Sequence, residues 1–121
     1  MSNAIVVIGP TKVLTPAAGT TANVGNVATR STTFHVANPS TTVNAYVGIF
    51  NNYADAIAMD HPTVGSDAGG LIITPGESMI LEGNFGASSL TAGANVYVAA
   101  ITAVGTTSIF FTPISENSTP Y

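Results

Sequence analysis

Cysteine and tryptophan are absent from the 121 residues, and Lys12 and Arg30 are the only full cations. Without cysteine there is no thiolate metal site, no thiol nucleophile and no disulfide, so stability must come from packing and from partners. Two basic side chains and a net charge of -4 cannot neutralise a run of phosphates, which excludes DNA and RNA as direct ligands. Charged residues of both signs make up 7% of the chain, against roughly 25% in an ordinary soluble domain. Water-facing positions therefore fall to Thr, Ser, Asn, Ala and Gly, which hydrate weakly and yield easily to a neighbour. A freely diffusing monomer usually keeps interspersed charges to disfavour association, so we expect much of this surface to be covered by other chains. The competing reading is a secreted or surface protein with a bland polar coat. Long apolar runs are missing too: Thr, Asn, Gly and Pro interrupt every stretch well short of the ~18 residues of a membrane helix, so no membrane contact is expected. The apolar run from Ala4 to Ile8 has no basic flank and is too brief for a signal peptide, so export by that route is not expected either.

What is present is a succession of short Val, Ile, Thr, Phe and Tyr runs bounded by Gly, Pro, Asn and Ser, the pattern of strands separated by turns. Ala4-Ile5-Val6-Val7-Ile8 and Lys12-Val13-Leu14-Thr15 read as edge or arm segments, and residues 16–28 as a loop or extended arm. Ser31 to Ala37 alternates, with Phe34 and Val36 on one face and His35 and Ala37 on the other. Asn38-Pro39-Ser40 is a turn, after which Val43, Ala45, Val47 and Ile49 share one face and Tyr46, Gly48 and Phe50 the other. A hairpin over residues 31–50 is expected. The long stretch 51–70 is predicted to be a loop in which residues 53–59 can form one or two helical turns. Leu71-Ile72-Ile73 is a strand ending in Thr74-Pro75-Gly76-Glu77, where Pro followed by Gly suits a type II turn. Residues 78–82 then continue as a strand, with Met79 and Leu81 on one face. Residues 95–102 and 107–112 are predicted to form a tight hairpin across 103–106. No helix is long enough for a βαβ crossover, so the expected fold is an all-β antiparallel β-sandwich, immunoglobulin-like or jelly-roll, with an extended N-terminal arm. Residues 1–29 form the arm and loop, 30–113 the sandwich and 114–121 a C-terminal tail.

Chemistry-bearing residues are few. His35 sits in a regular strand with no acid near it in sequence, and no Ser lies in a G-x-S-x-G turn. Glu77 and Glu82 are five apart along a strand, hence on opposite faces and a poor acid/base pair. Asp55, Asp60, His61 and Asp67 are the one group able to converge on a divalent cation, but their spacing matches no Ca²⁺ or zinc motif. We expect no catalytic residue, metal or cofactor, and a protein that is not an enzyme. Ile5, Val7, Val13 and Leu14 in the arm, and the aromatics Tyr46, Phe50, Tyr53 and Phe85, are the candidate subunit contacts, since an apolar strand seeks an edge and aromatics anchor interfaces. The aromatics are also the candidates for a sugar platform.

The order of segments resembles small virion structural proteins of tailed bacteriophages. The resemblance lies in Phe34-His35-Val36-Ala37-Asn38, in Asn44-Ala45-Tyr46-Val47-Gly48-Ile49-Phe50, and in Leu71-Ile72-Ile73-Thr74-Pro75-Gly76-Glu77 before Met79-Ile80-Leu81. It closes with Tyr97-Val98-Ala99-Ala100-Ile101 and Ile109-Phe110-Phe111-Thr112-Pro113, and so covers residues 30–113. The chain departs from shorter members at 51–70, at 83–93 and in its N-terminal segment. The resemblance implies a compact β-sandwich serving as a capsid decoration or cement protein on the head surface of a virion, made in the host cytoplasm. Its implied partners are the major capsid protein and copies of itself. The alternatives are a tail, neck or fibre component, or an adhesion module binding a host-surface glycan.

Overall fold

The computed structural model describes residues 4–18, 21–28, 33–60, 70–83 and 95–117. Among these residues nine strands and one helix follow in the order β1 (Ala4–Val7), β2 (Lys12–Leu14), β3 (Asn23–Ala28), β4 (Thr33–Ala37), β5 (Ala45–Phe50), α1 (Tyr53–Ala58), β6 (Leu71–Ile73), β7 (Ser78–Glu82), β8 (Asn95–Ile101) and β9 (Ile109–Asn117). Every pairing is antiparallel. One sheet has the order β1-β9-β4-β7, with β2 on the same side of β9 as β1, and the other has the order β3-β8-β5-β6. The chain is an all-β sandwich. The pairs β2 with β9, β3 with β8, β4 with β7 and β5 with β6 are nested, as in one long hairpin folded over itself. That nesting is the jelly roll rather than the immunoglobulin arrangement.

The core is the inner residues of both sheets. Phe34 and Val36 of β4, Ile109 and Phe111 of β9 and Leu14 of β2 meet Ala45 and Val47 of β5, Ile73 of β6, and Val96, Val98 and Ala100 of β8. Each fully buried Phe, Ile or Val side chain contributes about 1.5–3 kcal/mol of transfer free energy. Met79 and Leu81 pack against this cluster from β7, as the alternation in 78–82 requires.

Five sequence expectations are corrected. Residues 31–50 do not form a hairpin: β4 and β5 lie in different sheets, and the connection crosses the sandwich. The same holds for β8 and β9, whose joining segment 102–108 passes from one sheet to the other. Alternation marks which side of a strand is apolar but not which strand lies beside it. Residues 16–28 contain the edge strand β3, paired along its length with β8, because Gly25 and Asn26 need little apolar mass when Val27 and Ala22 supply it. The N-terminal segment is therefore not a free arm: β1 and β2 pair with β9 of the same chain. Pro113 is not followed at once by the tail expected at 114–121 either, since β9 runs on to Asn117. Its carbonyl accepts from the Ile8 N–H at 3.0 Å. A Pro in mid-sheet has no N–H to return to that neighbour, and the N-terminal strand breaks there, at Gly9-Pro10, into β1 and β2. Residues 118–121 lie outside the described residues.

The short helix in the long stretch is present as α1. Asn52 caps it, its Oδ1 accepting from the Asp55 N–H at 2.8 Å while its Nδ2 donates to Asp55 Oδ2 at 2.8 Å. The helix lies over the outer face of the second sheet, burying Ala56 and Met59 among Ala22, Ala99 and Ile101.

One end of the sandwich is tied by Asn38. Its Nδ2 donates to the carbonyls of Val43 (2.8 Å) and Ile73 (3.1 Å). Its Oδ1 accepts from the Ser40 N–H (3.2 Å) and the Thr107 hydroxyl (3.0 Å). Its backbone donates to the Glu77 carbonyl and accepts from the Gly76 N–H, both at 2.9 Å. One buried amide thus joins three of the crossings between sheets, and each of its polar atoms is satisfied. The type II turn inferred for 74–77 is present: Gly76 has φ 75 and the Glu77 N–H donates to the Thr74 carbonyl at 3.1 Å.

Candidate functional site

The two sheets differ in what covers their outer faces. On the second sheet Tyr46, Phe50, Tyr97 and Val24 are half-buried in the cluster beneath α1. Tyr53, on the helix, stands edge-on to Tyr97 with ring centroids 6.1 Å apart. The aromatic strand face expected to meet a partner is thus largely occupied by the chain's own helix, a packing that periodicity within one strand cannot reveal.

On the first sheet no helix covers the outer face among the described residues. Register places three rows across it: Val13, Phe110, Ala37 and Ser78; then Thr112, His35 and Ile80; then Val7, Ile114, Thr33 and Glu82, of which Ile114 is fully buried. Four large apolar side chains in these rows are solvent-facing, Val7 at 63%, Val13 at 49%, Ile80 at 46% and Phe110 at 37%. The polar members are hydroxyls, one imidazole and one acid, and Thr11 shares a 2.7 Å hydroxyl contact with Thr112 at the rim. Lys12 does not join this face: its stem lies over Gly25 of β3, so the cation closes the flank between sheets. A flat surface of branched apolar and hydroxyl side chains with almost no charge suits burial against another protein, since little desolvation opposes it.

Of the arm candidates, Val7 and Val13 are on this face, and Ile5 is placed by register opposite Glu116 in β1. Leu14 is corrected to a core residue, because it faces Ile109 between the sheets. Phe85 lies outside the described residues. Phe110 and Ile80, which carry this surface together with Val7 and Val13, were missed as contacts. The signal was available in the outward positions of two strands already recognised.

Among the described residues the titratable groups stay dispersed. No group of three or more His, Cys, Asp or Glu able to hold a metal occurs among the described residues. Of the proposed cation cluster, Asp55 serves the helix cap, Asp60 is exposed, and His61 and Asp67 lie outside the described residues. Glu77 closes the type II turn: its Oε1 accepts from the Thr74 N–H at 2.8 Å and the Thr74 hydroxyl at 2.9 Å, and these bonds hold its carboxyl below the usual glutamate pKa. A shallow open cleft of about 320 Å³ lies at the Asn38 end between Thr42, Asn44, Tyr46 and Val104. It has a hydroxyl, an amide and an aromatic wall, but neither an acid nor a base lines it. No protein-family model, no curated protein and no solved structure matches this chain.

Proposed function

We propose that the protein is a non-enzymatic structural subunit of a virion, a capsid decoration or cement protein that lays the outer face of its first sheet on the major capsid protein. The observation that carries this reading is the pair of dissimilar faces: one is largely covered by α1, with Ile72 of β6 left exposed at its edge, and the other presents Val7, Val13, Ile80 and Phe110 in nearly uncharged rows. The sparse charge of the whole chain supports it. The jelly roll, an architecture of viral capsid and lectin domains, agrees by analogy of fold alone.

Heads assembled with Phe110→Lys or Val13→Lys test the reading. Both positions point to solvent, so the variants keep the wild-type circular dichroism, while occupancy on the head, counted by cryo-EM, falls at least about tenfold, the equivalent of about 1.4 kcal/mol. Undiminished occupancy in both variants refutes the docking face. A few copies per particle instead of hundreds moves the protein to the neck or tail. Saturable change in tyrosine fluorescence on adding a glycan, lost in Tyr46→Ala, would turn the reading toward adhesion through the cleft.

A further inference from the structure

We propose that His35 makes docking of the first sheet proton-dependent: the face binds its partner with the imidazole neutral and releases it when the imidazole is protonated. This inference rests on the docking reading and names the regulation of that same surface. His35 stands in the middle row of the face, with Thr112 of β9 on one side and Ile80 of β7 on the other. Phe110, Ala37 and Ser78 lie in the row beside it. The side chain is half-buried in the isolated chain, and a partner laid across Val13, Phe110 and Ile80 must cover the remainder.

What that covering costs depends on the proton. A neutral imidazole has one donor and one acceptor and loses little on meeting hydroxyls and carbonyls. An imidazolium is an ion, and taking it out of water is expensive unless a carboxylate meets it. The elements around His35 supply almost none. Ile80 and Thr112, directly across, are neutral, and so are Ser78, Phe110 and Ala37. The core residues beneath β4 carry no titratable group. Glu82 of β7 lies on the diagonal, exposed at the rim and already engaged in a contact of its own, and an ion pair at an exposed rim is worth little. Glu116 of β9 stands two residues beyond Ile114, opposite Ile5. Glu77 is held in its turn by Thr74, Lys12 lies over Gly25 at the flank, and Asp55 caps the helix on the other sheet. An imidazole takes up its proton as the pH falls through about 6.5. Docking that admits only the neutral form is therefore complete above that value and is lost below it, approaching about tenfold in Kd per pH unit.

The test adds purified full chain to heads that lack it and measures Kd by co-sedimentation at about pH 8 and about pH 5.5, on either side of the imidazole range. Wild type, His35→Gln and His35→Lys are compared. Glutamine keeps a donor and an acceptor but takes no proton, and lysine carries its charge at both values. Both values lie above the range in which Glu77 titrates, and circular dichroism checks that the fold is the same at each. The expected result is a wild-type Kd that rises at least about fivefold from the higher pH to the lower, a His35→Gln Kd that changes less than about twofold, and weak docking of His35→Lys at both. The difference between wild type and His35→Gln separates the imidazole from titrating groups of the partner. No binding by the wild type at the higher pH refutes the docking reading itself, and the proposal with it. Binding there that is equally tight at the lower pH, a pH dependence that persists in His35→Gln, or a His35→Lys variant as tight as wild type at the higher pH overturns the proposal alone.

Discussion

Replacing Asn38 by Ala is expected to loosen the end of the sandwich at which the chain crosses between sheets, and its cost follows from the bonds removed. The buried Ile73 carbonyl loses its 3.1 Å donor and the Thr107 hydroxyl loses its 3.0 Å acceptor. A buried group left without a partner costs about 1–3 kcal/mol. The Thr107 hydroxyl keeps a long 3.4 Å contact with the Ser108 carbonyl, which offsets part of its loss. Val43 and Ser40 are half-buried, and water can replace the amide there at lower cost. The sum is about 3–5 kcal/mol, a large share of the 5–15 kcal/mol by which a domain is stable. For a chain of this size, that is a fall in Tm of about 10–20 °C. Urea unfolding followed by circular dichroism measures it, with Asn44→Ala on the exposed connection as control. Asn38→Asp sharpens the test, because it turns a donor facing two carbonyls into an acceptor. Its buried carboxyl has a folded pKa above its unfolded one, so that variant is least impaired below the unfolded pKa and loses stability as pH rises through the folded pKa. A loss below about 1 kcal/mol in Asn38→Ala, or an Asn38→Asp variant no better in acid than at neutral pH, refutes the account of the hub.

Gly48→Ala should strip α1 from its sheet, since a Cβ there would sit 2.7 Å from a Phe50 ring carbon and 2.9 Å from Met59 Sδ; a loss of about 1–3 kcal/mol, with increased protease cutting in α1, is the expected result. Gly76→Ala meets no atom within 4 Å but must hold φ 75, so it costs about 1–2 kcal/mol from backbone strain alone, read from the shift in urea midpoint. Glu77 has its folded pKa depressed by the Thr74 bonds, so its contribution is present above the unfolded pKa near 4.5 and lost as pH falls through the lower folded value. Glu77→Gln should flatten that acid limb of the stability curve, and an unchanged limb would count against the clamp.

The strands and several turns were legible because their signals are local. Alternation in 33–37, 45–50 and 78–82 places core and surface residues correctly, and Pro75-Gly76 fixes its turn through the φ values those two residues favour. The absence of cysteine and the scarcity of charge, which need no structure, set the class of function to be considered. What only the tertiary structure decided is who neighbours whom. Strand periodicity is two wherever a strand lies, so nothing in 31–50 or 95–112 distinguishes a hairpin from a crossing between sheets. The choice falls to the Asn38 amide, which bonds groups at residues 40, 43, 73 and 107, and to β9, whose two sides take β1, β2 and β4 from distant parts of the chain. The same long-range pairing turns an apparent N-terminal arm into sheet and places Leu14 in the core. It leaves Phe110 and Ile80 on an open face, because a side chain's exposure depends on which element lies across from it, and sequence neighbours do not carry that information.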